Sequence, residues 1–243
     1  MRLVQLNMWW GGKLDKSIQT FLEEVNPDII CLQEAVSSKL TDAGLFLSIE
    51  QLQKLGFPHK EFAPAFTFNL MRGAVSFGNA ILSRLPIEES FSFYTNLGHI
   101  EDFDFNIHDY NVRNLLHCAY KINGSKINIL THHGHHVHEH KDGNQETLRQ
   151  MEQIKEYIDG LPGAVILTGD FNLAPHSKSL DKLNKSLINL SVESGLKTTR
   201  TMFSLKDEVC DYIFVNDSVK VDKFYASEEI VSDHKALVLE FDL

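Results

Sequence analysis

Ala164-Val165-Ile166-Leu167-Thr168-Gly169-Asp170-Phe171-Asn172 joins an apolar run to a polar end. Its first four residues are apolar and partly β-branched, which suits a strand buried on both faces. Asp170 and Asn172 are two positions apart, so an extended chain points both side chains the same way. A buried strand that delivers a carboxylate and a carboxamide at its end is a common way to build a site in an α/β protein. The competing reading is an Asx turn that closes the strand, because Asp and Asn favour turns.

Working outward, the same pattern recurs. Arg2 to Met8 predicts a first strand that ends at Asn7, before a loop at Trp9-Trp10-Gly11-Gly12. Leu14, Ile18, Phe21, Leu22 and Val25 recur at helical spacing, and Asn26-Pro27 stops that helix. Asp28 to Glu34 is a second buried strand with Glu34 at its end. Leu45, Ile49, Leu52 and Leu55 predict a helix closed by Gly56. Phe62 to Phe68 and Gly78 to Ser83 are further strands, with Pro86 in the turn that follows. Residues 95 to 111 have no clear period and are read as a loop. Leu115 to Ile122 and Ile127 to Thr131 form a hairpin around Asn123-Gly124, because both central positions of that turn need φ > 0. A histidine-rich loop, His132 to His140, leads to a helix through Leu148, Met151, Ile154 and Ile158, closed by Gly160 and Pro162. Residues 175 to 205 suggest a short helix around Leu180 and Leu183, then loop. Val209 to Val215, Val219 to Ala226 and Lys235 to Phe241 close the chain as strands. About ten strands and four helices with no linker predict one α/β domain over residues 1–243.

The 243 residues suffice for a substantial core. With 33 acidic against 23 basic side chains the net charge is −10. That argues against tight, sequence-indifferent binding to long duplex DNA, which needs many Lys and Arg contacts to phosphate. It leaves room for a small anionic substrate held by a metal ion. Cys31, Cys118 and Cys210 are odd in number, far apart and set in apolar runs, which reads as buried thiols in a reducing compartment. The amino terminus reads as a strand rather than a signal peptide, and no run approaches the roughly 18 apolar residues of a membrane span. A cytoplasmic location is expected.

Asn7, Glu34, Asn79, His132, Asp170 with Asn172, Asp211, and Asp233-His234 all end or begin strands that need no polar residue there. Together they point to one cleft at strand ends. Carboxylate and amide oxygens without Cys/His spacing favour a hard cation such as Mg²⁺ or Mn²⁺. Several carboxylates in one cleft also repel unless a cation or a proton compensates.

These residues resemble a known family. Asn7, Gln33-Glu34, Gly78-Asn79-Ala80-Ile81-Leu82-Ser83, Thr131-His132, Gly169-Asp170-Phe171-Asn172, Asp211-Tyr212-Ile213-Phe214 and Ser232-Asp233-His234 are similar, in order, to the motif set of the endonuclease/exonuclease/phosphatase family. They span residues 7 to 234. The resemblance implies a four-layer α/β sandwich, two packed mixed β-sheets flanked by helices, and hydrolysis of a phosphate ester with Mg²⁺, for which Mn²⁺ substitutes. It implies Glu34 as the main metal ligand, with Asn7 and Asp233 nearby. Asp170 would orient or deprotonate the attacking water, and Asn172 would hold the phosphate or Asp170. His234 would bind the phosphate or act as base with Asp211 fixing its tautomer, and His132 would donate to a non-bridging oxygen.

Asn79 and Arg113 are candidates for binding the substrate phosphate. Asn79 reads equally as a structural amide, and Arg113 as a solvated strand start. Within the His132–His140 tract only His132 is assigned to the site, although such tracts also bind transition metals. Trp9 and Trp10 stack on a base or sugar in one reading and pack in the core in the other. The leading substrate is short or single-stranded nucleic acid. A phospholipid or small phosphodiester is the enzymatic alternative, and a non-catalytic binding module is the alternative of another class. The Asp211-Tyr212 step lacks the arginine that follows the aspartate in inositol-polyphosphate 5-phosphatases, which counts against that branch. A monomer without a transmembrane segment is expected.

Overall fold

The computed structural model describes residues 1–38, 45–71 and 73–243. These form twelve strands: β1 Arg2–Asn7, β2 Ile29–Ser38, β3 His59–Leu70, β4 Gly73–Ser83, β5 Glu89–Asn96, β6 Arg113–Ile122, β7 Ser125–His133, β8 Ala164–Asp170, β9 Ile188–Asn189, β10 Asp211–Val215, β11 Lys220–Ala226 and β12 Leu237–Asp242. One sheet has the order β11-β12-β1-β2-β4-β3 and the other β5-β6-β7-β8-β10-β9. Each is mixed. β1 and β2 are parallel, as are β7 and β8, and the remaining pairs are antiparallel. A parallel pair needs a crossover, and a helix supplies it in both sheets: Asp15–Val25 between β1 and β2, Gln145–Asp159 between β7 and β8.

Strand alternation sorts the apolar side chains into layers. Leu3, Ile29, Cys31, Ile127, Ile129, Ile166 and Ile213 point inward and pack between the sheets. Val4, Leu6, Ile30 and Leu32 point outward against Ile18, Phe21 and Leu22 of the first crossover helix. Leu130, Val165, Leu167 and Phe214 point outward against Met151, Ile154 and Ile158 of the second. Central strands buried on both faces therefore read as unbroken apolar runs. The two six-stranded mixed sheets with outer helices form the α/β sandwich expected. The second crossover helix starts at a capping box, in which Asn144 Oδ1 accepts from Thr147 N–H and Thr147 Oγ1 from Asn144 N–H.

Several boundaries differ from expectation. β5 has no counterpart among the expected strands, and the stretch read as loop from residue 95 begins inside it. Its Phe91 and Tyr94 stay exposed at the edge of the second sheet, so it lacks the signature of a buried strand. The helix expected from Leu45 starts at Ile49 and ends at Gln53. Ser48 and Gln51 form its capping box, and Leu47 N–H is held outside it by the Gly11 carbonyl. β2 continues past Glu34 to Ser38 through a bulge, because its register against β4 shifts between Leu32 and Ala35. Residues 188–193 add β9 and a single helical turn, Leu190–Glu193, to a region read as loop. Asn123 and Gly124 both have positive φ, as the hairpin requires.

Gly169 marks the closest approach of β7 and β8. Its φ is +152°, and a Cβ there would lie 1.9 Å from the His132 carbonyl oxygen. Gly195, at φ +70°, has open space around it, and a Cβ there would meet nothing within 4 Å. Gly195→Ala is expected to lose about 1–2 kcal/mol of unfolding free energy from backbone strain alone. Gly169→Ala is expected to lose about 3 kcal/mol or more, since backbone must move as well. Urea unfolding of the two variants measures the contrast.

Candidate active site

The carboxyl ends of the two parallel pairs meet at one edge of the sandwich, and there the inward rows change from apolar to polar. Along β1 the row runs Leu3, Gln5, Asn7; along β2, Ile29, Cys31, Gln33; along β7, Ile129, Thr131, His133; along β8, Ile166, Thr168, Asp170. Gln5 Nε2 donates to Gln33 Oε1 at 2.7 Å and to Asp211 Oδ1 at 3.2 Å. Gln33 Nε2 donates across the sheets to Thr131 Oγ1 at 2.7 Å. One step further out lies the cleft.

Glu34 occupies the bulge of β2, opposite Asn79, with φ +53°. A bulge re-aims a side chain, and here it turns Glu34 toward β1. Its carboxylate accepts from Asn7 Nδ2 at 3.2 Å and from Trp10 N–H at 2.6 Å. Trp9 N–H donates to Asn7 Oδ1 at 3.0 Å. Both amide donors come from a helical turn, Trp9–Gly12, in which φ is positive at all four residues: 55°, 53°, 75° and 85°. Gly11 is required in this turn, since a Cβ there would lie 2.6 Å from Val36.

Asp170 Oδ2 accepts from Asn7 Nδ2 at 3.1 Å and lies 3.6 Å from His234 Nε2 and 3.9 Å from His133 Nε2. Its Oδ1 accepts from Asn172 N–H at 2.9 Å, with Asn172 at φ +55°. The Asx turn and the cleft carboxylate are thus one arrangement, not two competing readings. Asn172 Oδ1 accepts from Lys141 Nζ at 2.7 Å. Asp211 is fully buried and accepts from Thr199 Oγ1 at 2.6 Å, while its Oδ2 faces His234 Nδ1 at 2.9 Å. The Arg200 guanidinium contacts His234 Nε2. A guanidinium only donates, so this contact uses the Nε2 lone pair and leaves Nδ1–H for Asp211.

A cavity of about 420 Å³ lies over these groups. Glu34, Asp170, Asn172, Asp233, His133 and His234 line it, together with Arg113, Arg200 and Lys206. Its walls are aromatic: Trp9, Trp10, Phe66, Phe77, Tyr110 and Phe203. Trp9 packs on Phe203 with ring centroids 5.5 Å apart, and Trp10 on Phe77 at 5.3 Å. Both tryptophans therefore sit at the cleft rather than in the core. Arg113 is 5% exposed, not solvated, with its guanidinium donating to Asn111 Oδ1 at 3.0 Å.

Two expected site residues lie elsewhere. His132 is fully buried on the outward face of β7, with Nδ1 3.0 Å from the Asn114 carbonyl and its ring edge-on to Phe171. Strand alternation gives the cleft to His133 instead, which pairs with Asp170 in the β7–β8 register. Asn79 does not line the main cavity. Its amide donates to the Asn114 carbonyl at 3.0 Å and to Asn114 Oδ1 at 2.8 Å, tying one sheet to the other. Sequence reasoning missed His133, Arg200 and Lys141. Alternation from Ile127 and Ile129 pointed to His133, whereas Arg200 and Lys141 sit in irregular segments that carry no periodic signal.

Charge is unevenly shared. Burial raises the Glu34 carboxyl above its usual range, against the opposing Trp10 N–H. Burial would also raise Asp170, but His234, Arg200, His133 and Lys141 outweigh it and hold that carboxyl well below its usual range. Burial lowers His234, yet Asp211 and Asp170 raise it above an ordinary imidazole overall, against Arg200. Burial pushes Lys141 down to about 8. The carboxylate and amide oxygens of Glu34, Asn7 and Asp233 suit a hard divalent cation, and the Glu34 carboxyl stays raised although His234 works against the shift. Asp170, Asp211 and His234 also bring ligand atoms within 4.8 Å of one another. Asp211 there is engaged by Gln5, Thr199 and His234, and in the Glu34 group Asn7 Oδ1 is engaged by Trp9 N–H and Glu34 by Trp10 N–H and Asn7 Nδ2.

The family model described as the Endonuclease/Exonuclease/phosphatase family matches residues 4–234. No curated protein matches at a significant level. Among solved structures, an endonuclease/exonuclease/phosphatase from Beutenbergia cavernae is 17% identical with a TM-score of 0.76, over 100% of this chain and 71% of that one. A mannosyl-6-phosphatase from Bacteroides thetaiotaomicron is 18% identical with a TM-score of 0.64, over 100% of both chains. TDP2 of D. rerio, complexed with a single-strand DNA product, is 17% identical with a TM-score of 0.67, over 100% and 99%.

The buried His132 sets a pH test. Burial pushes its imidazole down to about 4, so it stays neutral in the fold but binds a proton near pH 6.5 once unfolded. Its contribution is therefore present above pH 6.5 and lost as pH falls toward 4. Between pH 7 and pH 5 the native protein is expected to lose about 2 kcal/mol more than His132→Gln does, read by urea unfolding at both pH values.

Proposed function

The chain belongs to the endonuclease/exonuclease/phosphatase family, and on that premise we propose that it is a divalent-metal-dependent phosphodiester hydrolase whose substrate is short or single-stranded nucleic acid. Members of the family are phosphoric ester hydrolases. The observation that carries the reading is the pair formed by Asp170 Oδ2 and His234 Nε2, 3.6 Å apart, at the floor of a cavity lined by arginines and aromatic rings. We take residues 1–243 as one catalytic domain, acting as a monomer in the cytoplasm, where its three free, buried cysteines stay reduced.

In this reading Glu34, Asn7 and Asp233 hold Mg²⁺, or Mn²⁺ in its place. A bound Mg²⁺ supplies charge neutralisation at the phosphate and at the leaving oxygen. Asp170 Oδ2 and His234 Nε2 face the same point, where a water can be oriented and lose its proton to one of them. Asp211 fixes the His234 tautomer through Nδ1, and Gln5 and Thr199 fix Asp211. Proton uptake at Nε2 is incompatible with the Arg200 contact, so Arg200 must leave His234 when the base is used. A phosphate oxygen is its nearest new partner, and Arg113 takes another, since guanidinium forks match phosphate geometry. His133 donates to a non-bridging oxygen, the part that the family resemblance gives to His132. Asn172, anchored by Lys141, keeps Asp170 in its Asx turn.

The aromatic walls favour a substrate with bases or rings to stack, and the cationic residues favour its phosphates. TDP2, of similar fold, is complexed with single-strand DNA. The second reading is a small phosphoester or phospholipid. The net charge of −10 and a cavity of about 420 Å³, close to the size of a small ligand, favour it. The fold of the mannosyl-6-phosphatase supports it too. A binding module without catalysis is the weakest reading, since Glu34, Asp170 and His234 are all present.

Hydrolysis of a labelled single-stranded oligonucleotide, sphingomyelin, bis-p-nitrophenyl phosphate and p-nitrophenyl phosphate with Mg²⁺, Mn²⁺ or EDTA separates these readings. Metal-dependent cleavage of the oligonucleotide is expected, and turnover of small esters or lipid alone would favour the second reading. Asp170→Asn and His234→Ala are each expected to lower kcat by about 10²–10⁴-fold with the fold intact. Near-normal turnover in Asp170→Asn would refute its role. Glu34→Gln is expected to raise the Mg²⁺ concentration for half-maximal activity at least about tenfold, and an unchanged metal titration would overturn that assignment.

A further inference from the structure

Six of the twelve histidines fall between His132 and His140; His133 and His136 line the cavity, and His133 lies 3.9 Å from Asp170. Two of the six converge on one oxygen. Tyr110 Oη lies 2.8 Å from His136 Nδ1 and 2.9 Å from His138 Nε2. We infer that Tyr110, His136 and His138 form a second metal site, for a borderline transition-metal ion of the Zn²⁺ or Cu²⁺ type, separate from the carboxylate site of Glu34.

Two of the three ligand–ligand separations are already near those of a coordination sphere. Ligands about 2.0–2.1 Å from a tetrahedral ion lie roughly 3.3 Å from one another. The observed separations of 2.8 and 2.9 Å need to open by only about half an ångström. The two imidazole rings stand 73° apart with centroids at 4.8 Å, so they meet the phenol from different directions rather than stacking side by side. With one proton, the phenol donates to one nitrogen and accepts from the N–H of the other ring. An ion at this point takes a lone pair from all three groups, with the phenol proton passing to solvent.

The backbone is held in place independently of these contacts. His136 N–H donates to Asn111 Oδ1 at 2.8 Å, and Asn111 Nδ2 donates back to the His136 carbonyl at 3.4 Å. Asn111 is itself gripped by Arg113, and Val137 is buried between the two histidines. Ligand chemistry sorts the ions. Imidazole and phenolate suit Zn²⁺ and Cu²⁺, whereas the oxygens of Glu34, Asn7 and Asp233 suit Mg²⁺. Tyr110 and His136 both line the catalytic cavity, so an ion held there would be open to a water or an anionic ligand from that side.

The test is calorimetric titration of the whole chain with Zn²⁺ in Mg²⁺-containing buffer, beside an absorption spectrum after loading with Cu²⁺. In Tyr110→Phe and in His138→Gln, one class of Zn²⁺ site is expected to weaken at least about tenfold. His140→Gln, an exposed neighbour in the same tract, is expected to bind as the native protein does. Cu²⁺ is expected to give a visible phenolate-to-copper band that Tyr110→Phe lacks. His138 is exposed, so its replacement leaves the fold intact, which circular dichroism checks. Native Zn²⁺ affinity in both variants, an equal loss in His140→Gln, or a copper band that survives Tyr110→Phe would each overturn the inference.

Discussion

The two sheets share an interior that changes chemistry at a single level, and the site depends on that change. Below it, Leu3, Ile29, Ile129 and Ile166 are held by non-directional packing, which fixes distance but not register. At the level of Gln5, Gln33 and Thr131 the contacts become hydrogen bonds between fully buried groups. A buried amide left unpaired costs about 1–3 kcal/mol, so a slip of one sheet over the other is penalised where the amides meet. That lock is what brings Asn7 of one sheet within 3.1 Å of Asp170 of the other.

From this level outward the groups are charged. Asp211 is fully dry and surrounded by donors, so it acts as a fixed negative point behind His234. The Asp170 carboxyl is held low by groups from separate segments: His234, Arg200, His133 and Lys141. The chain as a whole is acidic, yet the cavity collects Arg113, Arg200 and Lys206. Net charge thus describes long-range behaviour, while the cavity lining describes what binds there.

Much of this was legible in the sequence. Ala164–Leu167 and Ile29–Leu32 are apolar runs because both faces of their strands are covered, and the Asn123-Gly124 turn has a single favoured geometry. Asn7, Asp170 and Asp211 therefore fell at strand ends and Glu34 at a bulge inside β2, and these came out as neighbours of His234. Less was legible where the answer depended on which face a strand presents. His132 and His133 are adjacent histidines, and only the pairing of β7 with β8 decides between them. Asn79 lies on the strand expected but in its interior, since β4 begins at Gly73, and it faces Asn114 across the sheets, a contact between residues 35 apart in sequence. Arg200 reaches the site from an irregular segment, where no period announces direction. β5 stayed hidden because an exposed edge strand buries too little to imprint a pattern.

The backbone at the site is left-handed at Trp9, Trp10, Glu34 and Asn172, none of them glycine. Such a conformation costs about 1–2 kcal/mol for an ordinary residue, and three of these four side chains gain nothing from it locally. What they gain is direction: Trp10 N–H points at Glu34, and Glu34 leaves the line of β2. Glycine at Trp9, Trp10 or Glu34 would relax the chain but remove the ring or carboxylate that lines the cavity. The sequence here is thus caught between two demands, and selection for thermal robustness alone would erode these positions first. A chain drifting toward greater stability would become a better-folded sandwich and a poorer catalyst at the same residues.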